Sequence, residues 1–172
     1  MRVRHDAEFQ EYARSKLDSM RYFAYLSCGD WHRAEDAVQV AFVKLYAAWG
    51  RAARESLDAY TRRIVVNVLI NEGRRFRFRR EHLDDDPAVP VTWDGDDRSD
   101  DRMVLLQALS GLPRRQRITL VLRFWEDLSV EQTAAIMRCS PSTVKSQSVK
   151  GLAAMRDRLS GSFPTLPKGA TA

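Results

Sequence analysis

Cysteine is nearly absent from this 172-residue chain, which holds only Cys28 and Cys139. They stand far apart and outside any C-x-x-C spacing, which excludes a disulfide framework and points to a reducing cytoplasm. Histidine is equally sparse: His5, His32 and His82 are scattered, and no His/Cys cluster has the spacing of a metal site. No metal and no cofactor are expected. No apolar run approaches the ~20 residues of a membrane span, and the N-terminal MRVRHDAEFQEY turns acidic where a secretory signal needs its apolar stretch. Membrane insertion and secretion are therefore not expected. A phosphate-cradling glycine loop, a nucleophile motif and a ligand cluster are all missing, so nothing marks an enzyme.

What is present is charge, unevenly spread. The chain has 28 Lys+Arg against 23 Asp+Glu, a net +5, with 44% hydrophobic residues to build a core. Most of the cations are Arg, whose planar fork suits phosphates and base edges. Residues 1–80 carry 16 basic and 10 acidic groups; residues 102–172 carry 11 and four. Between them, residues 81–101 hold nine acids against Arg98 alone, with Pro87, Pro90 and Gly95 and no periodicity. That composition reads as a linker. The expected organisation is a basic domain over 1–80, an acidic tether over 81–101, a second basic domain over 102–159 and a disordered tail over 160–172.

Both flanks show helical spacing and no credible strand, so the fold class is all-α. Phe9, Tyr12/Ala13, Lys16/Leu17, Met20 and Phe23/Ala24 form one stripe. Gly29-Asp30 supplies a turn and an N-cap. Val38, Ala41/Phe42, Leu45 and Ala48/Trp49 form a second stripe. A short basic loop follows, and a longer helix runs from Leu57 to about Phe78. Beyond the tether, Met103–Leu109 and Pro113–Trp125 read as helices, with two more after them.

The last two helices are the most specific feature. Ser129 followed by Gln132 is a capping box. Arg138-Cys139 interrupts the helix, and Ser140-Pro141 restarts it with an N-cap and a proline at the first helical position. Two capped helices around a tight turn make a helix-turn-helix, with Ala134 at the closest approach and Val144 beneath the second helix. That second helix carries Ser142, Thr143, Lys145, Ser146, Gln147, Val149 and Lys150, and no acid before Asp157. Short hydroxyls, an amide and lysines suit base edges and phosphates in a major groove; a solvated bundle face is the plainer reading. At the turn, where glycine is common for its positive φ, stands Arg138.

In the first domain, Arg63, Asn67, Asn71, Arg74 and Phe78 share one helix face, while Ile64, Val65, Val68 and Leu69 point to the core. The run Arg74-Arg75-Phe76-Arg77-Phe78-Arg79-Arg80 interleaves cations for phosphate with rings that stack on unpaired bases. The two asparagines need partners, either base edges or backbone groups of a neighbouring helix. The preceding loop, Trp49 to Ser56, carries Arg51 and Arg54 and suits the wall of a pocket for an extruded base. On the second helix, Glu35, Asp36 and Gln39 beside Phe42 and Tyr46 suit a protein partner. A solvated helix start favoured by the macrodipole accounts for the acids equally well.

Three stretches carry a resemblance. Asp36-Ala-Val-Gln-Val-Ala-Phe42 resembles the D-L-V-Q-x-x-F signature of bacterial RNA polymerase sigma factors. Ala59–Asn67 with Arg74-Arg75 resembles their helix that reads the −10 promoter element. Leu112–Arg117, Trp125–Ser129 and Cys139–Ser146 resemble the domain that reads the −35 element. With two domains and a short tether, the chain is similar to the extracytoplasmic-function (ECF) subgroup, and its wording to the actinobacterial SigE-like sigma factors.

The resemblance implies a factor without chemistry of its own that directs core RNA polymerase to promoters. Asp36, Gln39 and Phe42, with Glu35, would meet the β′ clamp helices. Asn67 and the Trp49–Ser56 loop, with Arg51, Arg54, Arg63, Asn71, Arg74, Arg75 and Phe78, would engage the melted −10 strand. Lys145, Ser146, Val149 and Lys150 would read −35 DNA, and part of that domain would sit on the β flap. A basic two-domain activator of this kind also implies an anti-sigma partner. Val40, where an acid is frequent, and Gln147, where a cation is common, depart from the pattern. The competing class is a free-standing helix-turn-helix regulator binding duplex operators. The 21-residue tether spans at most ~65–75 Å, about two turns of duplex; its acids would suit the basic RNA path of the polymerase, and a solubilising linker with no binding role accounts for them equally well.

Overall fold

The computed structural model describes residues 2–52, 56–79 and 100–161, and these form eight helices with no strand. Helix α1 spans Arg2–Cys28, α2 Trp31–Ala47, α3 Trp49–Ala52 and α4 Leu57–Arg79. After the tether come α5 (Asp100–Ser110), α6 (Arg114–Leu120, continued by a π-helical turn over Val121–Trp125), α7 (Val130–Met137) and α8 (Pro141–Ser160).

The turns form where the sequence supplies caps. Gly29 takes φ +76°, a conformation a Cβ would strain, and its N–H closes α1 on the Tyr25 carbonyl at 2.7 Å. Asp30 then caps α2, accepting the Arg33 N–H at 2.9 Å. Ser56 caps α4 through the Ala59 N–H. Two boundaries differ from the sequence reading. Residues 49–52, expected as loop, are a helical turn because Trp49 and Ala52 are both drawn into the core. Helix α5 begins at Asp100, inside the stretch assigned to the tether, where two acids favour its positive N-terminus. The rest of the tether and residues 162–172 lie outside the described residues.

Helices α1, α2 and α4 bury Met20, Phe23, Tyr25, Val38, Leu45, Val65, Val66 and Leu69. Leu17, expected on that stripe, is 41% exposed; Lys16 turns inward instead to pair with Asp58 at 2.8 Å. Burial alone would raise the Asp58 carboxyl, but hydrogen bonds from Lys16 and Tyr12 outweigh it and hold the group below its ordinary range. In the C-terminal half, Ala108, Leu109, Leu112, Leu120 and Met155 form a small core of their own. Gly151 lets α8 approach α6, since a Cβ there would stand 3.1 Å from Leu120.

The two halves do not bury their apolar faces separately. Leu106, Ile118, Val121, Leu122, Ile136 and Met137 continue the core of α1, α2 and α4 without a break. Helix α7 packs on α4, and α6 packs on α1.

Candidate nucleic-acid interface

The helix-turn-helix is built as its caps foretell. Ser129 Oγ accepts the Gln132 N–H at 3.1 Å, and Gln132 Oε1 accepts the Ser129 N–H at 2.8 Å, so both halves of the capping box are present. Arg138 ends α7 in the left-handed region at φ 52°, ψ 51°, with Cys139 partly buried below it. Ser140 Oγ accepts the Thr143 N–H at 3.1 Å, and Pro141 opens α8. Ala134 and Val144 are buried where the two helices meet.

On α8, Ser142, Lys145, Ser146, Val149 and Lys150 are exposed, with Val149 69% open to solvent. Gln147 and Thr143 are half-buried, and the Thr143 hydroxyl is shared with Ser140 at 2.8 Å. Thr143 therefore organises the start of the helix as much as it presents a donor. Arg138, at the turn before α8, is exposed.

On α4, Asn71 and Arg74 are exposed and Asn67 and Arg63 half-buried, in the expected register. Ile64, Val65 and Leu69 are buried opposite them, and Val68 packs against the core, as the spacing requires. The Arg63 Nε is buried without a partner. Neither asparagine side chain bonds another described residue, so the neighbouring-helix explanation for them is not realised among those residues. Arg51 is exposed on α3. Arg54 and the side chains of Arg75 and Phe78 lie outside the described residues. Trp49 is buried, packing edge-on against Phe9 at 5.4 Å and tilted against Tyr12 at 5.8 Å.

On α2, Asp36 and Gln39 are exposed, and Glu35 is tied to Arg21. Phe42 is 9% exposed and packs against Phe9 and Tyr12, so most of its ring belongs to the core, as its place on the second stripe requires, and little of it is left for a partner. The apolar part of that surface is Val40 and, more so, Val43, 70% exposed. Val43 follows Asp36 by seven and Gln39 by four, so helical spacing alone would have found it. No group of His, Cys, Asp and Glu able to hold a metal occurs among the described residues.

Comparison with known proteins accounts for both halves. A model of sigma-70 region 2 matches residues 13–80, and one of sigma-70 region 4 matches residues 102–155. The RNA polymerase sigma-E factor of Streptomyces avermitilis is 35% identical over 153 residues, 88% of this chain and 85% of that protein. Its namesake in Streptomyces coelicolor is 33% identical, over 88% of this chain and 86% of that one. Among solved structures, the sigma factor RpoE of Bartonella quintana, crystallised with the anti-sigma factor NepR, shares the fold with a TM-score of 0.73 at 22% identity. That likeness covers 88% of this chain and 96% of the solved one. The chain belongs to the sigma-70 family of bacterial RNA polymerase sigma factors, in its extracytoplasmic-function subgroup. Among the described residues, no helix is long and apolar enough to cross a membrane.

Proposed function

We propose that this sigma factor reads promoters with α4 and α8 and docks on core polymerase through the outer face of α2. The observation that carries the reading is the pairing of two exposed, basic reader helices, α4 inside the region 2 match and α8 for most of its length inside the region 4 match. Lys145, Ser146 and Lys150, with Ser142, Gln147 and Val149 beside them, engage the −35 duplex, the lysines as phosphate or base contacts. Asn67, Asn71 and Arg74, supported by Arg51 and Arg63, engage the melted −10 strand. There unpaired edges satisfy amides that no described residue satisfies.

Asp36, Gln39, Val40 and Val43 form the polymerase-facing strip, with Phe42 fixing the helix from beneath. The factor adds no catalytic group and borrows the polymerase active site in the cytoplasm. An anti-sigma partner is expected, in keeping with the complex in which the Bartonella relative was solved. The operator-binding alternative leaves α4 without a role and is not favoured.

Run-off transcription with core polymerase tests the assignment. Asn67→Ala should lower promoter-dependent product at least tenfold with core binding intact. Equal product from the variant would remove α4 from the reading.

A further inference from the structure

Tyr12 of α1 touches both α3 and α4, two elements separated in the chain by residues 53–56. Its ring centroid lies 5.8 Å from that of Trp49 on α3. Its hydroxyl donates to Asp58 Oδ1 at 2.9 Å, in the first turn of α4. The same oxygen stands 3.2 Å from the hydroxyl of Thr61, a fully buried residue one turn further along α4.

Helix α3 cannot fix its own position. It is a single turn, too short to hold helical shape unaided. Burial holds it instead: Trp49 and Ala52 are both in the core, and the Trp49 ring meets Phe9 edge-on at 5.4 Å as well as Tyr12. The start of α4 is held through Asp58. Both of its carboxylate oxygens bond to α1, Oδ1 to Tyr12 and Oδ2 to Lys16 at 2.8 Å, two residues one turn apart on the same face. The Lys16 bond ties α1 to α4, whereas Tyr12 ties α1 to α4 and to α3 at once.

The clasp is itself anchored. Asp6 accepts the Tyr46 hydroxyl at 2.6 Å, and Phe9 meets the Tyr46 ring at 5.1 Å, so the first turns of α1 are pinned to the end of α2. Phe9 and Tyr12 both precede residue 13, where the region 2 match begins.

The two elements joined in this way carry the side chains assigned to the −10 strand. Arg51, exposed, is on α3; Arg63, Asn67, Asn71 and Arg74 are on α4. A strand contacted from both is read only while the two keep a fixed spacing, since a shift of about 1 Å takes a hydrogen bond out of range.

We infer that Tyr12 is a positioning residue for promoter reading: by joining Trp49 to Asp58 it sets the spacing of Arg51 on α3 from the Arg63 and Asn67 face of α4, and with it the base preference in the melted −10 element. The inference rests on the promoter-reading assignment above. Tyr12 touches no base; it acts through the residues whose spacing it fixes.

The experiment uses the full chain assembled with core polymerase. The probe is fork-junction DNA, duplex upstream and single-stranded through a randomised −10 block, and sequencing of the bound fraction gives the base preference at each position. Tyr12→Phe keeps the ring against Trp49 and removes the bond to Asp58. Preference at one or more positions of the block should fall about fivefold, the loss of one well-placed pair, with affinity for core unchanged. Lys16→Met breaks the other bond to the same carboxylate and leaves the Tyr12 clasp in place. It should lower the urea midpoint as Tyr12→Phe does, while its base preference matches the wild type. Lost stability alone would move both variants together; lost positioning moves only the first.

Wild-type preference in Tyr12→Phe, or an equal loss in Lys16→Met, would overturn the role of Tyr12 and leave the assignment of α4 standing. A wild-type holoenzyme with no base preference anywhere in the block would overturn both.

Discussion

Arg138 donates its backbone N–H to the Ala134 carbonyl at the end of α7 while its own backbone sits in the left-handed region, at φ 52°. The turn of the helix-turn-helix thus demands the conformation that glycine adopts freely, and an arginine supplies it under strain. Arg138→Gly should raise stability by about 0.5–1 kcal/mol, part of the relief being offset by the greater freedom of unfolded glycine. Urea titration reads this as a higher midpoint with an unchanged slope. If the arginine also meets phosphate, binding to −35 duplex should weaken as stability rises.

Phe42 and its polar neighbours should separate under mutation. Phe42→Ala empties a buried ring site against Phe9 and Tyr12 and should cost about 3–5 kcal/mol of folding stability. Asp36→Ala and Gln39→Ala lie on the exposed face and should change stability by less than about 0.5 kcal/mol. Their loss should appear in core-polymerase binding. Chemical denaturation beside a core-binding titration distinguishes the two behaviours.

Asp58 should make stability depend on acid. Its carboxyl is held below the ordinary range by Lys16 and Tyr12 against the opposing effect of burial, so the folded form favours the ionised group. A depressed folded value contributes stability above the unfolded carboxylate value of about 3.9, and that stability fades as the pH falls through the folded value. The wild type should exceed Asp58→Asn in stability near neutrality. That gap should close in the strongly acidic range, as thermal melts across pH would show.

The lysines of α8 should differ from its hydroxyls. Lys150→Ala, losing one phosphate contact, should weaken duplex binding evenly across sequences and reduce the salt slope by about 0.9. Ser146→Ala should leave that slope alone and relax preference at one position of the −35 element. Holoenzyme binding at several salt concentrations, on matched and substituted duplexes, separates the two.

Local chemistry explains which features were legible before any coordinates. The caps at Asp30, Ser129 and Ser140 are decided within three residues, and each forms as read. The strain at Arg138 follows from the turn type. Helical spacing likewise placed Ile64, Val65 and Leu69 inward. Depth beyond one helix was harder to read. Helical spacing puts Phe42 both on the buried stripe and beside the polar face of α2, and only the packing of Phe9 and Tyr12 from α1 decides for the first. Trp49 left its expected loop for the same reason. The contact between the two halves left no periodic signal, because Arg62, Arg114, Arg117 and Glu126 look like solvated charges until two distant segments meet.

Run-off transcription with core polymerase and a library of genomic fragments, with mapping of transcript starts, tests the sigma assignment most directly. Promoter-dependent transcripts should appear only when this protein is added, and their starts should be preceded by two shared sequence blocks about 25 base pairs apart, roughly 85 Å of duplex. Specific duplex binding by the protein alone, with no association with core and no such transcripts, would contradict it.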